Sequence, residues 1–148
     1  MIHIAIPGLP ISTNHAYMHI TMGKGKKKIT KRVLTPEGRK YKTETTAYIV
    51  EHYPREITIF KPNTPYGYII QLYFPDLFNK TWPEEAKSRY KRLDASNRVK
   101  LLEDAAAEAF GIDDCNFLST RTDKFQGPEY SHIWVWNMEE ECPYSARS

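Results

Sequence analysis

Residues 90–117 read YKRLDASNRVKLLEDAAAEAFGIDDCNF, and the placement of every other element follows from this stretch. Val99, Leu102, Ala106 and Ala109 or Phe110 recur at helical spacing. A helix is therefore expected over Asn97–Phe110, with Ser96 as its cap and Gly111 as its stop. Its apolar face calls for a sheet to pack on. Asn97, Lys100 and Asp104 fall along a neighbouring polar stripe, and Glu103 lies next to Asp104 around the helix. Asp94 stands just before the helix and the pair Asp113-Asp114 just beyond the glycine. One short helix thus gathers carboxylates, an amide and a lysine.

Working outward, Tyr66–Phe74 (YGYIIQLYF) is rich in β-branched and aromatic residues and is expected to be a central strand. Phe117–Phe125 and Tyr130–Met138 read as two further strands around a Gln126-Gly127-Pro128 turn. At the other end, Ile2–Ile6 reads as a first strand that meets a turn-rich segment running through Pro7-Gly8, Pro10, Ser12 and Asn14. Leu34-Thr35-Pro36-Glu37 starts a helix: Thr35 can cap, and Pro36 fits the first position, where no amide donor is needed. That helix should run to about His52 and stop before Pro54, because a residue preceding proline is pushed out of helical geometry. The expected fold is α/β (α+β): a single small domain over residues 1–138, a mixed β-sheet with two main helices packed on it, and a polar tail over 139–148.

A chain of 148 residues, 41% apolar and 13% aromatic, can bury one ordinary core but is too short to divide comfortably into two. Cys115 and Cys142 form no CxxC unit, and no apolar run approaches the roughly 20 residues that span a bilayer. The N-terminus has no basic segment leading into an apolar one. These features point to a reducing, cytoplasmic setting without a membrane partner. His15 and His19 have a helical metal-ligand spacing, but the surrounding prolines and glycines speak against a helix there.

The net charge is only +3, so its distribution matters more than its sum. Lys24, Lys26, Lys27, Lys28, Lys31 and Arg32 crowd one segment that holds no acidic residue and carries two glycines, a basic loop or hairpin tip. Lys87, Arg89, Lys91 and Arg92 form a second group immediately before Asp94. Clustered cations of this kind displace counterions from DNA, although a solvated, self-repelling loop has the same composition.

Carboxylates converging from different parts of a chain repel one another and are tolerated when a cation lies between them. Magnesium suits such a site, since it takes oxygen ligands, keeps waters and bridges to a substrate phosphate. Composition and spacing leave a plainer reading open. Lys100 and Asp104 can form a surface pair worth at most about half a kcal/mol, Asp113-Asp114 a solvated turn, and Asp94 a helix entry.

The series Asp94-x-Ser96-Asn97-x-x-Lys100-x-x-x-Asp104, followed by Gly111-Ile112-Asp113-Asp114, resembles the RusA-like Holliday junction resolvases, endonucleases largely associated with phages and prophages. The family pattern is Asp-x-Asp-Asn-x-x-Lys, an aspartate four residues after the lysine, and an Asp-Asp pair past the helix. LPISTNHAY near the N-terminus and LTPEGRKYK at the first helix start extend the likeness over most of the chain through about Phe125. The resemblance implies a small homodimer that binds branched double-stranded DNA and cuts four-way junctions symmetrically with Mg2+, or Mn2+ in its place, in DNA recombination and repair. On that likeness Asp94 and Asp114 match metal-binding catalytic aspartates, Lys100 matches the catalytic lysine, and Asn97 and Asp104 match other motif positions. Asn14 falls in the likeness to the family's first loop. Ser96 departs from the pattern, which has an aspartate there. A hydroxyl cannot supply that charge. Either Glu103 or Asp113 replaces the missing carboxylate, or the site works with fewer protein ligands, or the chain binds junctions without cutting them.

Overall fold

The computed structural model describes residues 1–91 and 95–140, with Ser96 and Asn97 described in their helical backbone alone. Arg92, Asp94 and residues 141–148 of the expected tail lie outside the described residues. The elements run β1 (Ile2–Pro7), α1 (Thr13–Ala16), β2 (Tyr17–Met22), β3 (Ile29–Leu34), α2 (Pro36–His52), α3 (Pro54–Ile57), β4 (Tyr66–Phe74), α4 (Ser96–Phe110), β5 (Phe117–Gln126) and β6 (Tyr130–Asn137). A four-stranded mixed sheet in the order β1-β6-β4-β5 carries α2 and α4, and β2 and β3 form a separate antiparallel ribbon. This is the single α+β domain with two main helices that the sequence pattern calls for.

The helices obey their local chemistry. Thr35 Oγ1 accepts from Gly38 N at 3.1 Å, Pro36 opens α2, and α2 ends at His52 ahead of Pro54. Gly111 closes α4 in the left-handed conformation, at φ 70°, where a residue without Cβ is at least cost. The start of α4 differs from expectation by one residue: Ala95 occupies the capping position and Ser96 is already helical. Such a shift is within the usual fraying of helix boundaries.

β4 is central, paired antiparallel with β6 and parallel with β5. Its inward residues Tyr68, Ile70, Leu72 and Phe74 are buried against Val99, Leu102, Ala106 and Phe110 of α4. Each large aliphatic side chain in this layer contributes about 1.5–3 kcal/mol by leaving water. α4 is buried on a second side as well: Leu101 and Ala105 are fully buried, and Thr46 of α2 donates to the Ala105 carbonyl at 3.2 Å. β5 and β6, successive in sequence, do not pair with each other because β4 lies between them. The turn joining them passes over the end of β4, where Gly127 N bonds the Phe74 carbonyl at 3.0 Å. The parallel β4–α4–β5 crossover sets α4 over the sheet and returns the chain through Asp113 and Asp114 to the start of β5.

Candidate active site around Lys100

Lys100 points from α4 into a cluster of carboxylates. Its Nζ lies 2.6 Å from Asp114 Oδ2 and 3.0 Å from Asp104 Oδ1. Asp104 is one helical turn further along α4, while Asp114 arrives from the short 3-10 turn that follows Gly111. The other Asp104 oxygen, Oδ2, accepts a 2.7 Å hydrogen bond from the Tyr17 hydroxyl at the foot of β2. Glu103 turns to the neighbouring side, where the Tyr68 hydroxyl of β4 donates to its Oε2 at 2.5 Å. Helix, central strand and ribbon are therefore tied at one place by two tyrosine–carboxylate bonds and two lysine–carboxylate pairs.

Proton affinities follow this geometry. Desolvation works against the charge on Lys100, yet its bonds to Asp114 and Asp104 outweigh it and raise its pKa above the usual lysine range. The hydrogen bond from Lys100 holds Asp114 below the ordinary carboxylate range, against a smaller effect of burial. Glu103 moves the other way: burial raises its pKa, the Tyr68 bond and Lys100 offset part of that, and repulsion from Asp114 and Asp104 adds to it. One ammonium thus serves three carboxylates, and the third, Glu103, is left with its charge poorly compensated. Both tyrosines are held protonated, mainly by burial and then by the carboxylates they serve.

The ribbon of β2 and β3 rises from this cluster. Arg32 lies over the Tyr17 ring at 4.2 Å from its centroid, next to a groove of about 310 Å3 lined by Thr13, Asn14, Tyr17, His19 and Arg32. Lys24, Lys26, Lys27, Lys28 and Lys31 are exposed toward and around the ribbon tip, whose turn is the 3-10 segment Gly25–Lys27. A continuous chain of contacts therefore runs from Arg32 through Tyr17 and Asp104 to Lys100 and Asp114.

The model of the endodeoxyribonuclease RusA family matches residues 7–135. The chain belongs to the RusA endodeoxyribonuclease family. That family implies a Holliday-junction-resolving nuclease and a branched DNA substrate. No curated protein matches the chain. The matched span takes in the Lys100 cluster, both main helices and the whole ribbon.

The structure brings together Lys100, Asp104, Asp114 and Glu103 of the residues singled out in this RusA-family sequence, and Asn14 lines the groove next to Tyr17, which bonds Asp104. Asp113 has a local duty: its Oδ1 accepts from Cys115 N at 3.1 Å and caps the 3-10 turn that presents Asp114. In the second basic group Lys87 is exposed, Lys91 is engaged by Asp76, and Arg89 lies near the rings of Trp82 and Tyr90. Lys91 is thus already paired within the protein. His15 and His19 fall on different elements, α1 and β2, so they share no helix face. Among the described residues no helix is long and apolar enough to cross a membrane.

Tyr17 and Tyr68 were not apparent from the sequence as site residues. Tyr68 had a usable signal: a hydroxyl at an inward position of an otherwise apolar strand needs a buried partner. Tyr17 stands at the end of the LPISTNHAY likeness, but its partner is 87 residues away and depends on how the ribbon docks.

Among the described residues no three His, Cys, Asp or Glu side chains already stand as a metal-holding group; the Lys100 ammonium occupies the space between Asp104 and Asp114. The donor chemistry nevertheless fits a hard divalent cation. The candidates are carboxylate oxygens, and the poorly compensated charge at Glu103 is the kind that a nearby cation relieves.

Proposed function

We propose that this chain is a magnesium-dependent, structure-selective endodeoxyribonuclease that cuts four-way DNA junctions by phosphodiester hydrolysis. The observation that carries the reading is Lys100, held at 2.6 and 3.0 Å by two aspartates from different segments at the foot of a basic ribbon. A DNA backbone bound along that ribbon brings a phosphate to the lysine. Lys100 stays cationic throughout the neutral range and stabilises charge that builds on the phosphoryl and leaving oxygens. Asp104, fixed by Tyr17, orients the lysine, and Asp114 stays ionised. Asp94 and Asp114 would hold the magnesium, with Glu103 supplying the carboxylate that Ser96 does not. When bound, the ion polarises the phosphoryl oxygen and lowers the pKa of an attacking water. Symmetric cutting of two strands calls for two such sites, hence a homodimer acting on recombination intermediates in the cytoplasm.

A second reading, junction binding without cutting, is favoured by Ser96 standing where the family pattern has an aspartate. Incubating the folded protein with a mobile four-way junction and with a matched linear duplex, each with magnesium or manganese, separates the two. Paired nicks in the junction support the enzyme. Binding without nicks, together with cutting gained by Ser96→Asp, supports the second reading. Absence of any salt-dependent DNA binding would sink both.

A further inference from the structure

The ribbon of β2 and β3 has two chemically different faces. Because directly paired residues of antiparallel strands share a face, the register Tyr17↔Leu34, His19↔Arg32, Thr21↔Thr30 defines one side. Apart from Leu34 at its foot that side is aromatic, polar and basic, and through Tyr17 it continues into the Lys100 cluster. The register Met18↔Val33, Ile20↔Lys31, Met22↔Ile29 defines the other, which is apolar but for one lysine. Its outermost pair, next to the tip, holds its most exposed apolar residues: 51% for Met22 and 60% for Ile29. A two-stranded ribbon standing apart from the main sheet is marginal in water, so a face of Met and Ile left open on it calls for an occupant.

Charge selects among occupants. Gly23 to Arg32 carries six cations and no acidic residue. Two copies joined symmetrically through this face with their tips together would bring Lys31 and the tip lysines against their own counterparts. A polyanion with apolar surfaces of its own meets both demands. Continuous duplex DNA offers phosphates but keeps its base planes stacked, whereas a four-way branch point whose arms are held apart exposes terminal base-pair planes between them.

We infer that the Met22 and Ile29 side of the ribbon caps the base-pair planes exposed at a DNA branch point, while the Tyr17, His19 and Arg32 side holds the strand to be cut. The ribbon then acts as a blade between arms. Apolar Met and Ile side chains placed against unstacked bases are a known means of holding distorted DNA. This inference rests on the proposed function and names how that same site tells a junction from plain duplex.

The test measures affinity for an immobile four-way junction and for a linear duplex of the same sequence, with calcium in place of magnesium. Wild type is compared with Met22→Gln/Ile29→Thr and with Lys26→Ala/Lys27→Ala. Threonine keeps the strand preference of isoleucine, and both changed residues are exposed. In the first variant, junction affinity should fall on the order of tenfold or more while duplex affinity holds, which would also show the ribbon intact. The lysine variant should lose on both DNAs alike. Equal losses on both DNAs in the Met22/Ile29 variant, or an unchanged junction preference, would overturn the inference and leave the nuclease reading standing. Dissociation of a wild-type dimer by that variant, seen by sedimentation, would overturn it in favour of a second copy. A wild type with no junction preference would overturn the proposed substrate and this inference with it.

Discussion

Replacing Lys100 by methionine removes the ammonium while keeping most of the side-chain volume, and its effects on stability and on cleavage should separate. The Lys100 side chain is 43% exposed and its partners Asp104 and Asp114 are 22% and 37% exposed. Ion pairs in such surroundings are worth about 0–1 kcal/mol each. Losing both costs at most about 2 kcal/mol, and for a domain of this size about 1 kcal/mol shifts Tm by roughly 2–4 °C. The metal-free variant should therefore melt less than about 8 °C below wild type. Cleavage faces a larger loss. A group that stabilises charge only as it develops in the transition state is worth about 100- to 1000-fold in rate when removed. Single-turnover nicking of an end-labelled junction, with protein well above its binding constant, reads that step directly, and circular dichroism gives Tm on the same preparations. A nicking rate within about threefold of wild type would refute the catalytic role and leave Lys100 as a counter-ion. A Tm loss far above the bound worked here would show instead that the pairs hold the fold.

Glu103→Gln should raise Tm near neutral pH in the absence of metal. Burial raises the folded pKa of Glu103, so the folded state holds that proton more tightly than the unfolded chain; its contribution is full below the ordinary glutamate range and lost as pH rises through the raised value. Glutamine keeps an acceptor for Tyr68, and thermal melts across pH should converge with wild type in acid; a lower Tm at neutral pH would contradict this account. Asp114 has the opposite sign: its lowered pKa gives stability that is present above the ordinary aspartate range and lost as pH falls through the lowered value, so Asp114→Asn should flatten the acid limb of the same melts. Gly38→Ala should destabilise by about 1–3 kcal/mol, because an added Cβ would overlap the Ala16 carbonyl oxygen. Since Tyr17 follows Ala16, junction nicking should fall with it, and unchanged melting would refute the close packing. For Lys26→Ala/Lys27→Ala, the slope of log affinity against log salt should flatten by about two, measured by anisotropy on duplex DNA; an unchanged slope would remove the ribbon from the DNA interface.

What was legible in the sequence was local chemistry with a fixed period. Thr35 and Pro36 announce α2, Gly111 ends α4, and Val99, Leu102 and Ala106 mark the face that meets the sheet, because each effect acts within a turn or two of helix. Strand order was less accessible. The Gln126-Gly127-Pro128 turn suggests neighbours, yet β4 intervenes, since an apolar strand buried on most of its length gains more by pairing on both edges than β5 and β6 gain from each other. Turn chemistry is blind to that long-range choice.

The site shows the same division between near and far. The spacing from Lys100 to Asp104 is one helical turn, so their pairing follows from the helix alone. Asp114 reaches the lysine only because Gly111 turns the chain and Asp113 caps the next bend. Of the two adjacent aspartates, one thereby becomes a scaffold for the other, although in sequence they are equivalent candidates. Glu103 and Asp113 were likewise equal candidates to offset Ser96, and their surroundings now differ. Asp113 is committed to a backbone amide, whereas Glu103 is half-buried beside Asp104 and Asp114 with its charge poorly compensated. A carboxylate that the fold has already desolvated has the most to gain from a divalent cation, because the cation offsets a cost that folding leaves uncompensated. If the site is active despite Ser96, the compensation should therefore come from Glu103. In that case Glu103→Gln should abolish nicking while Asp113→Asn, which keeps an acceptor for Cys115 N, should spare most of it.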